Sequence, residues 1–192
     1  MIPPFNEGGV LPPFIGEDAT GERQLPRSPY PSTMLSLVDR FASSRERVVI
    51  LRGLMDLRAS LRAAGLTEGL QWIDGSFVED CETARRRPPG DVDVVNLVRR
   101  PATLTDDTDW AGFLNDNSDL INTSLIKSRF HCDAYFVDLD IDPICVAQQV
   151  AYWFGLFSHQ RDTFRWKGLV QLELMEDDGA AKAALEAKER TW

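Results

Sequence analysis

Asp74-Gly75-Ser76-Phe77 and, with fourteen residues between Ser76 and Asp91, Asp91-Val92-Asp93-Val94 decide how this chain reads. Leu70-Gln71-Trp72-Ile73-Asp74 has the composition of a short strand, and Gly75-Ser76 stops it. Asp91 to Val98 carries four valines in eight residues and is the clearest β segment of the chain. Residues two apart in a strand share a face, so Asp91 and Asp93 project side by side while Val92 and Val94 turn to the core. Adjacent carboxylates repel unless a cation lies between them. Hard oxygen donors with full negative charge suit Mg²⁺ or Mn²⁺, which complete their shells with water and substrate phosphates. Gly75 lets the backbone approach a bulky anion closely, and Ser76 adds a hydroxyl donor. Together the two stretches supply what a nucleoside triphosphate needs: donors for its oxygens and a metal for its charge.

Working outward, His131 to Leu139 alternates as a further strand. Within it Cys132, Ala134 and Phe136 face the core, while Asp133 and Tyr135 face the cleft. Asp133 is therefore the candidate third acid, able to clamp a second metal or to deprotonate an attacking hydroxyl. Helical periodicity runs from Ser32 through Phe41, with Ser32 or Thr33 as cap. A second helix begins near Ser43, where Ser43-Ser44-Arg45-Glu46 reads as a capping box, and ends at Gly65. Residues 79–90, with an arginine run and two prolines, read as a loop. Residues 102–128 are helical in two pieces, around Trp110–Leu114 and Leu120–Lys127. Ile144 to Phe157 is a helix with Val146, Val150, Trp153, Phe154 and Phe157 inward, Leu169 to Leu174 is a last strand, and the tail from Asp177 is helical. The order predicts an α/β or α+β domain over 32–192, preceded by a proline-rich arm at 1–31 that is either a disordered tail or, as its apolar residues favour, extended across the domain.

Composition bounds the partners. A net charge of −9 disfavours a broad grip on nucleic acid. Three cysteines without CxxC spacing and two histidines leave no zinc-type ligand set. No secretory signal or membrane span is visible, so the expectation is a cytoplasmic chain.

A Gly-Ser turn after one strand, Asp-x-Asp on the next and a lone Asp on a later one resemble the DNA polymerase β nucleotidyltransferase superfamily. The minimal nucleotidyltransferases of bacteria and archaea look closest in size. The match covers roughly residues 70–140, and the stretch between Ser76 and Asp91 is longer than the family usually has. The resemblance implies a small mixed sheet with flanking helices, with Gly75 and Ser76 on the triphosphate, Asp91 and Asp93 on metal, and Asp133 as third acid. It implies transfer of a nucleoside monophosphate to a hydroxyl acceptor with release of pyrophosphate. Two other readings stand beside it: a non-catalytic partner protein of the same fold, acting as antitoxin or regulatory subunit, and a nucleotide sensor.

Weaker signals surround the motif core. Lys127 and Arg129 precede the third strand and can reach a phosphate or serve as helix-end charges. Arg85-Arg86-Arg87 either covers a nucleotide or is a solvated loop tip. The run from His159 to Gly168 is rich in basic and polar groups suited to base, phosphate or acceptor. Asp138-Leu139-Asp140-Ile141-Asp142 begins like a calcium loop, but Pro143 and Gln149 stand where such a loop needs Gly and Glu.

Overall fold

The computed structural model describes residues 1–16, 26–104, 106–161, 163–176 and 178–190. Its elements are β1 (Tyr30–Pro31), α1 (Met34–Phe41), α2 (Arg45–Ala63), β2 (Gly69–Asp74), α3 (Cys81–Arg85), β3 (Val92–Val98), α4 (Asp107–Asp116), α5 (Thr123–Phe130), β4 (Cys132–Asp138), α6 (Pro143–Phe157), β5 (Val170–Glu173) and α7 (Gly179–Glu189). Single 3₁₀ turns cover Gly75–Val78 and Ser118–Leu120.

Side-chain caps set the helix starts. Thr33 accepts from the Ser36 N–H before α1, and Ser44 accepts from the Arg47 N–H before α2. The cap of α2 is thus Ser44 rather than Ser43, one residue later than the capping-box pattern. The stretch 79–90 is not all loop. Asp80 caps α3 by accepting from the Thr83 N–H, and Arg86 ends it in the left-handed region at φ 52°. The helical tail is seen from Gly179; Asp177 lies outside the described residues.

The five strands form one mixed sheet in the order β1-β5-β2-β3-β4. β2 runs antiparallel to β3 and β5, while β3 is parallel to β4. β1 adds parallel to β5 at the edge, where Pro31 is tolerated. Alternation along the strands divides the core. Ile73, Val92, Val94, Cys132, Ala134, Val170 and Leu172 join the side chains of α1, α2, α5 and α7. Trp72, Val95, Leu97 and Val137 lie on the opposite face beneath α6. α2 passes so close to the end of α5 that a Cβ on Gly53 would lie 1.9 Å from the Phe130 carbonyl oxygen.

The N-terminal residues lie against this domain. Val10 and Leu11 are fully buried. The Gly168 N–H donates to the Leu11 carbonyl at 2.8 Å, and the Asp80 N–H donates to Gly9 at 2.8 Å. Residues 17–25 of the arm fall outside the described residues. Among the described residues no helix is long and apolar enough to cross a membrane.

Candidate active site

Strand register assembles the acids. Asp74 at the end of β2 pairs with Asp93 on β3, and Asp93 pairs with Asp133 on β4. Adjacent strands lie roughly 4.8 Å apart, so three carboxylates stand in a row across the sheet. Asp91 lies one residue before β3 and, two positions from Asp93, shares its face. All four therefore project to the α6 side, while their apolar neighbours Val92, Val94, Cys132 and Ala134 are fully buried on the other.

Gly75 turns the chain between β2 and the 3₁₀ turn at φ 81°, a left-handed conformation that favours glycine. A Cβ at this position would lie 2.6 Å from Asp93 Oδ2. The Gly-Ser turn and the Asp-x-Asp strand therefore touch, with half-buried Ser76 at the start of the turn.

Lys127, on α5, bridges the outer acids. Its Nζ lies 2.6 Å from Asp91 Oδ2 and 3.0 Å from Asp133 Oδ2. Those two hydrogen bonds hold the ammonium well above the ordinary lysine range. Asp93 is not in that bridge. Burial first, then the charges of Asp91 and Asp133, push its carboxyl up to about 6, while Lys167 and Arg161 draw it down. Burial chiefly, then the nearby Asp133 carboxylate, raises the Tyr135 phenol.

A second layer lies beneath the turn. The Lys167 ammonium is buried and sits 3.1 Å from Asp74 Oδ2, 3.0 Å from Glu79 Oε1 and 3.3 Å from the Gly75 carbonyl. Burial works against that charge, and the carboxylates of Asp74 and Glu79 outweigh it, leaving the group raised. Glu79 Oε2 accepts from Gln160 Nε2 at 2.8 Å and Arg85 Nη2 at 2.9 Å. Arg47, also buried, donates to the Phe77 and Glu79 carbonyls at 2.6 and 2.7 Å. Burial pushes Asp74 up to about 7 despite Lys167, and its Oδ1 is buried without a hydrogen-bond partner.

Asp91, Asp93, Asp133, Gly75, Ser76 and Lys127 thus gather at one end of β2, β3 and β4. The basic run after His159 divides. Lys167 is a buried anchor rather than a substrate-facing charge, and Arg161 is exposed and acts on Asp93. Arg85 is tied to Glu79, and Arg129 lies 3.5 Å from Asp119. Trp153 packs on Tyr135 at a centroid distance of 4.4 Å and Phe154 on Trp72 at 6.1 Å, so both serve the core. Asp142 caps α6 by accepting from the Ile144 N–H, while Asp138 and Asp140 pair with Arg100 and Arg99. The sequence reading passed over Asp74 and Glu79. Asp74 had a signal, its place directly before Gly75-Ser76; the partnership of both with Lys167 had none.

The donor chemistry suits a hard divalent ion: full carboxylates on registered strands and one orphaned buried oxygen. As the side chains stand, no group of three or more His, Cys, Asp or Glu among the described residues is drawn together as a metal cage, and the Lys127 ammonium holds the outer pair. Asp91, Asp93 and Asp133 are the residues that would hold such an ion, in competition with the Lys127 ammonium. No curated protein and no solved structure matches this chain. Residues 3–173 match the family model described as a family of unknown function (DUF6932), which spans most of the sequence, and the chain belongs to that family.

Proposed function

We propose that this protein is a metal-dependent nucleotidyltransferase of the polymerase β type, moving a nucleoside monophosphate from a triphosphate such as ATP to a hydroxyl acceptor, with pyrophosphate as leaving group. The observation that carries the reading is the register Asp74–Asp93–Asp133 with Gly75 packed against the Asp93 carboxylate. Mg²⁺ or Mn²⁺ on Asp91, Asp93 and Asp133 would neutralise the triphosphate and polarise the α-phosphoryl oxygen. Gly75 and Ser76 hold the phosphate chain at the turn. Lys127, released from Asp91 and Asp133, follows the phosphate charge. Asp133, placed by its register opposite Asp93, accepts the proton of the attacking hydroxyl. Reaction by in-line displacement depends mainly on positioning and electrostatics, which a few side chains on rigid strands provide.

One observation favours a second reading. The Lys127 bridge satisfies Asp91 and Asp133 without any metal, as suits a non-catalytic domain that docks on a partner.

Incubating the protein with each α-phosphate-labelled triphosphate and Mg²⁺ or Mn²⁺, beside an Asp91→Asn/Asp93→Asn control, tests the proposal. Label transfer or pyrophosphate release that the control lacks is the expected result. Equal signal in the control, or no binding of any triphosphate by either protein, refutes it.

A further inference from the structure

β4 and α6 bring the chain back to the acids. β4 starts beside them at Cys132–Asp133 and runs away over seven residues, about 23 Å. α6 returns over fifteen residues, about 22 Å, and near its end Trp153 packs on Tyr135, two residues from Asp133. The chain then folds into a hairpin. His159 bridges to Trp166, the Gln160 N–H donates to the Arg165 carbonyl at 2.8 Å, and the Phe164 N–H donates to the Gln160 carbonyl at 2.9 Å.

Two buried side chains lock this hairpin onto the Gly75 turn. Gln160 Nε2 donates to Glu79 Oε2 at 2.8 Å, and Lys167 Nζ lies 3.1 Å from Asp74 Oδ2 and 3.3 Å from the Gly75 carbonyl. The base of the hairpin is therefore fixed, while Arg161, directly after Gln160, reaches into solvent. The Arg161 guanidinium forms no ion pair among the described residues, and its charge acts on the Asp93 carboxyl. The other two cations of the hairpin are engaged: Lys167 is buried between Asp74 and Glu79, and Arg165 donates to the Gly8 carbonyl at 2.7 Å.

Sheet order decides which end of a substrate this hairpin meets. β4, β3, β2 and β5 lie side by side, so Asp133 on β4 stands at one end of the acid row and the hairpin that leads into β5 at the other. In-line displacement places the attacking and leaving oxygens on opposite sides of the phosphorus. With Asp133 taking the proton of the attacking hydroxyl, the leaving group falls toward β2 and β5, over the Gly75 turn and beside Arg161.

Building on the nucleotidyltransferase reading, we propose that Arg161 is the ligand of the leaving pyrophosphate, carried by a hairpin that Gln160 and Lys167 anchor to the Gly75 turn. As the acceptor oxygen bonds to the α-phosphorus, the bond from that phosphorus to the bridging oxygen breaks. Its electron pair passes to pyrophosphate, and the acceptor proton goes to Asp133. The charge that develops on the pyrophosphate oxygens meets a planar donor that stays ionised at any working pH.

Calorimetric titration of the full chain with inorganic pyrophosphate, and separately with ATP, at saturating Mn²⁺ tests this. Arg161→Gln should weaken both by about tenfold, the loss expected for a hydrogen bond to a charged group, and Arg161→Lys should recover part of it. Affinity for free Mn²⁺ and the thermal midpoint should not fall, which separates a lost ligand from a disturbed fold. Arg99→Gln makes the same charge change just past the far end of β3, at an exposed side chain, and should bind pyrophosphate as wild type does. Unchanged pyrophosphate affinity in Arg161→Gln, or an equal loss in Arg99→Gln, overturns the role of Arg161 and leaves the nucleotidyltransferase reading standing. A wild-type chain that binds neither pyrophosphate nor ATP overturns both.

Discussion

Replacing Lys127 by methionine keeps the length of the side chain and removes the charge that joins Asp91 to Asp133. The lysine is about half exposed, with 48% of its side-chain surface in solvent, so each contact counts as an exposed ion pair. Such pairs contribute roughly 0.2–1 kcal/mol each, and two give about 1 kcal/mol after solvent screening. Losing that should lower the metal-free thermal midpoint by about 2–4 °C in a chain of this size. The same ~1 kcal/mol no longer has to be displaced when a divalent ion enters, which corresponds to about fivefold tighter binding. Isothermal titration with Mn²⁺ in the absence of nucleotide measures this for wild type and Lys127→Met, with Asp91→Asn/Asp93→Asn as the control that should not bind. Triphosphate affinity should move the other way, weakening in Lys127→Met, if the freed ammonium follows the phosphate charge as proposed. Equal Mn²⁺ affinity in both proteins refutes Lys127 as the competing cation while leaving the acids as ligands. Failure of both proteins to bind refutes the metal assignment itself.

Asp93→Asn should stabilise the metal-free protein at alkaline pH. With its carboxyl raised to about 6 from 3.8, folded Asp93 keeps its proton where the unfolded chain has lost it, so wild-type stability falls as pH rises across that window and stays lower above it. The expected gain at pH 8 is about 3 kcal/mol, shrinking to nothing below about pH 3, and melting curves showing no pH-dependent gap contradict the assigned environment. Lys167→Met leaves Asp74 and Glu79 buried without their shared cation and should cost about 3–5 kcal/mol. A urea midpoint that does not move would remove Lys167 as the anchor of the Gly75 turn. Leu11→Ala should cost about 2–5 kcal/mol because Leu11 is fully buried, and an unchanged stability would show that the arm contributes nothing to the fold.

Much of the sheet was legible because burial on one face imposes a two-residue period. Leu70–Asp74, Asp91–Val98 and His131–Leu139 each lie within two residues of strands β2, β3 and β4. α3 was missed because proline and arginine near its end masked a five-residue helix whose start rests on the Asp80 cap and whose Glu82 is held by Arg47 at 2.6 Å, 35 residues away.

Of the site, the local part was written in the chain. Alternation alone puts Asp91 and Asp93 on one face and Asp133 with Tyr135 on another strand's open face, and Gly75-Ser76 marks the turn. Only the tertiary structure decided that Asp74, Asp93 and Asp133 fall opposite one another, that Lys127 spans Asp91 and Asp133, and that Lys167 supports the turn from 92 residues along the chain. The division has a physical cause. Side-chain direction within a strand follows from backbone geometry two residues at a time, whereas register and the placing of a buried charge are set by how whole faces pack, which no single segment contains.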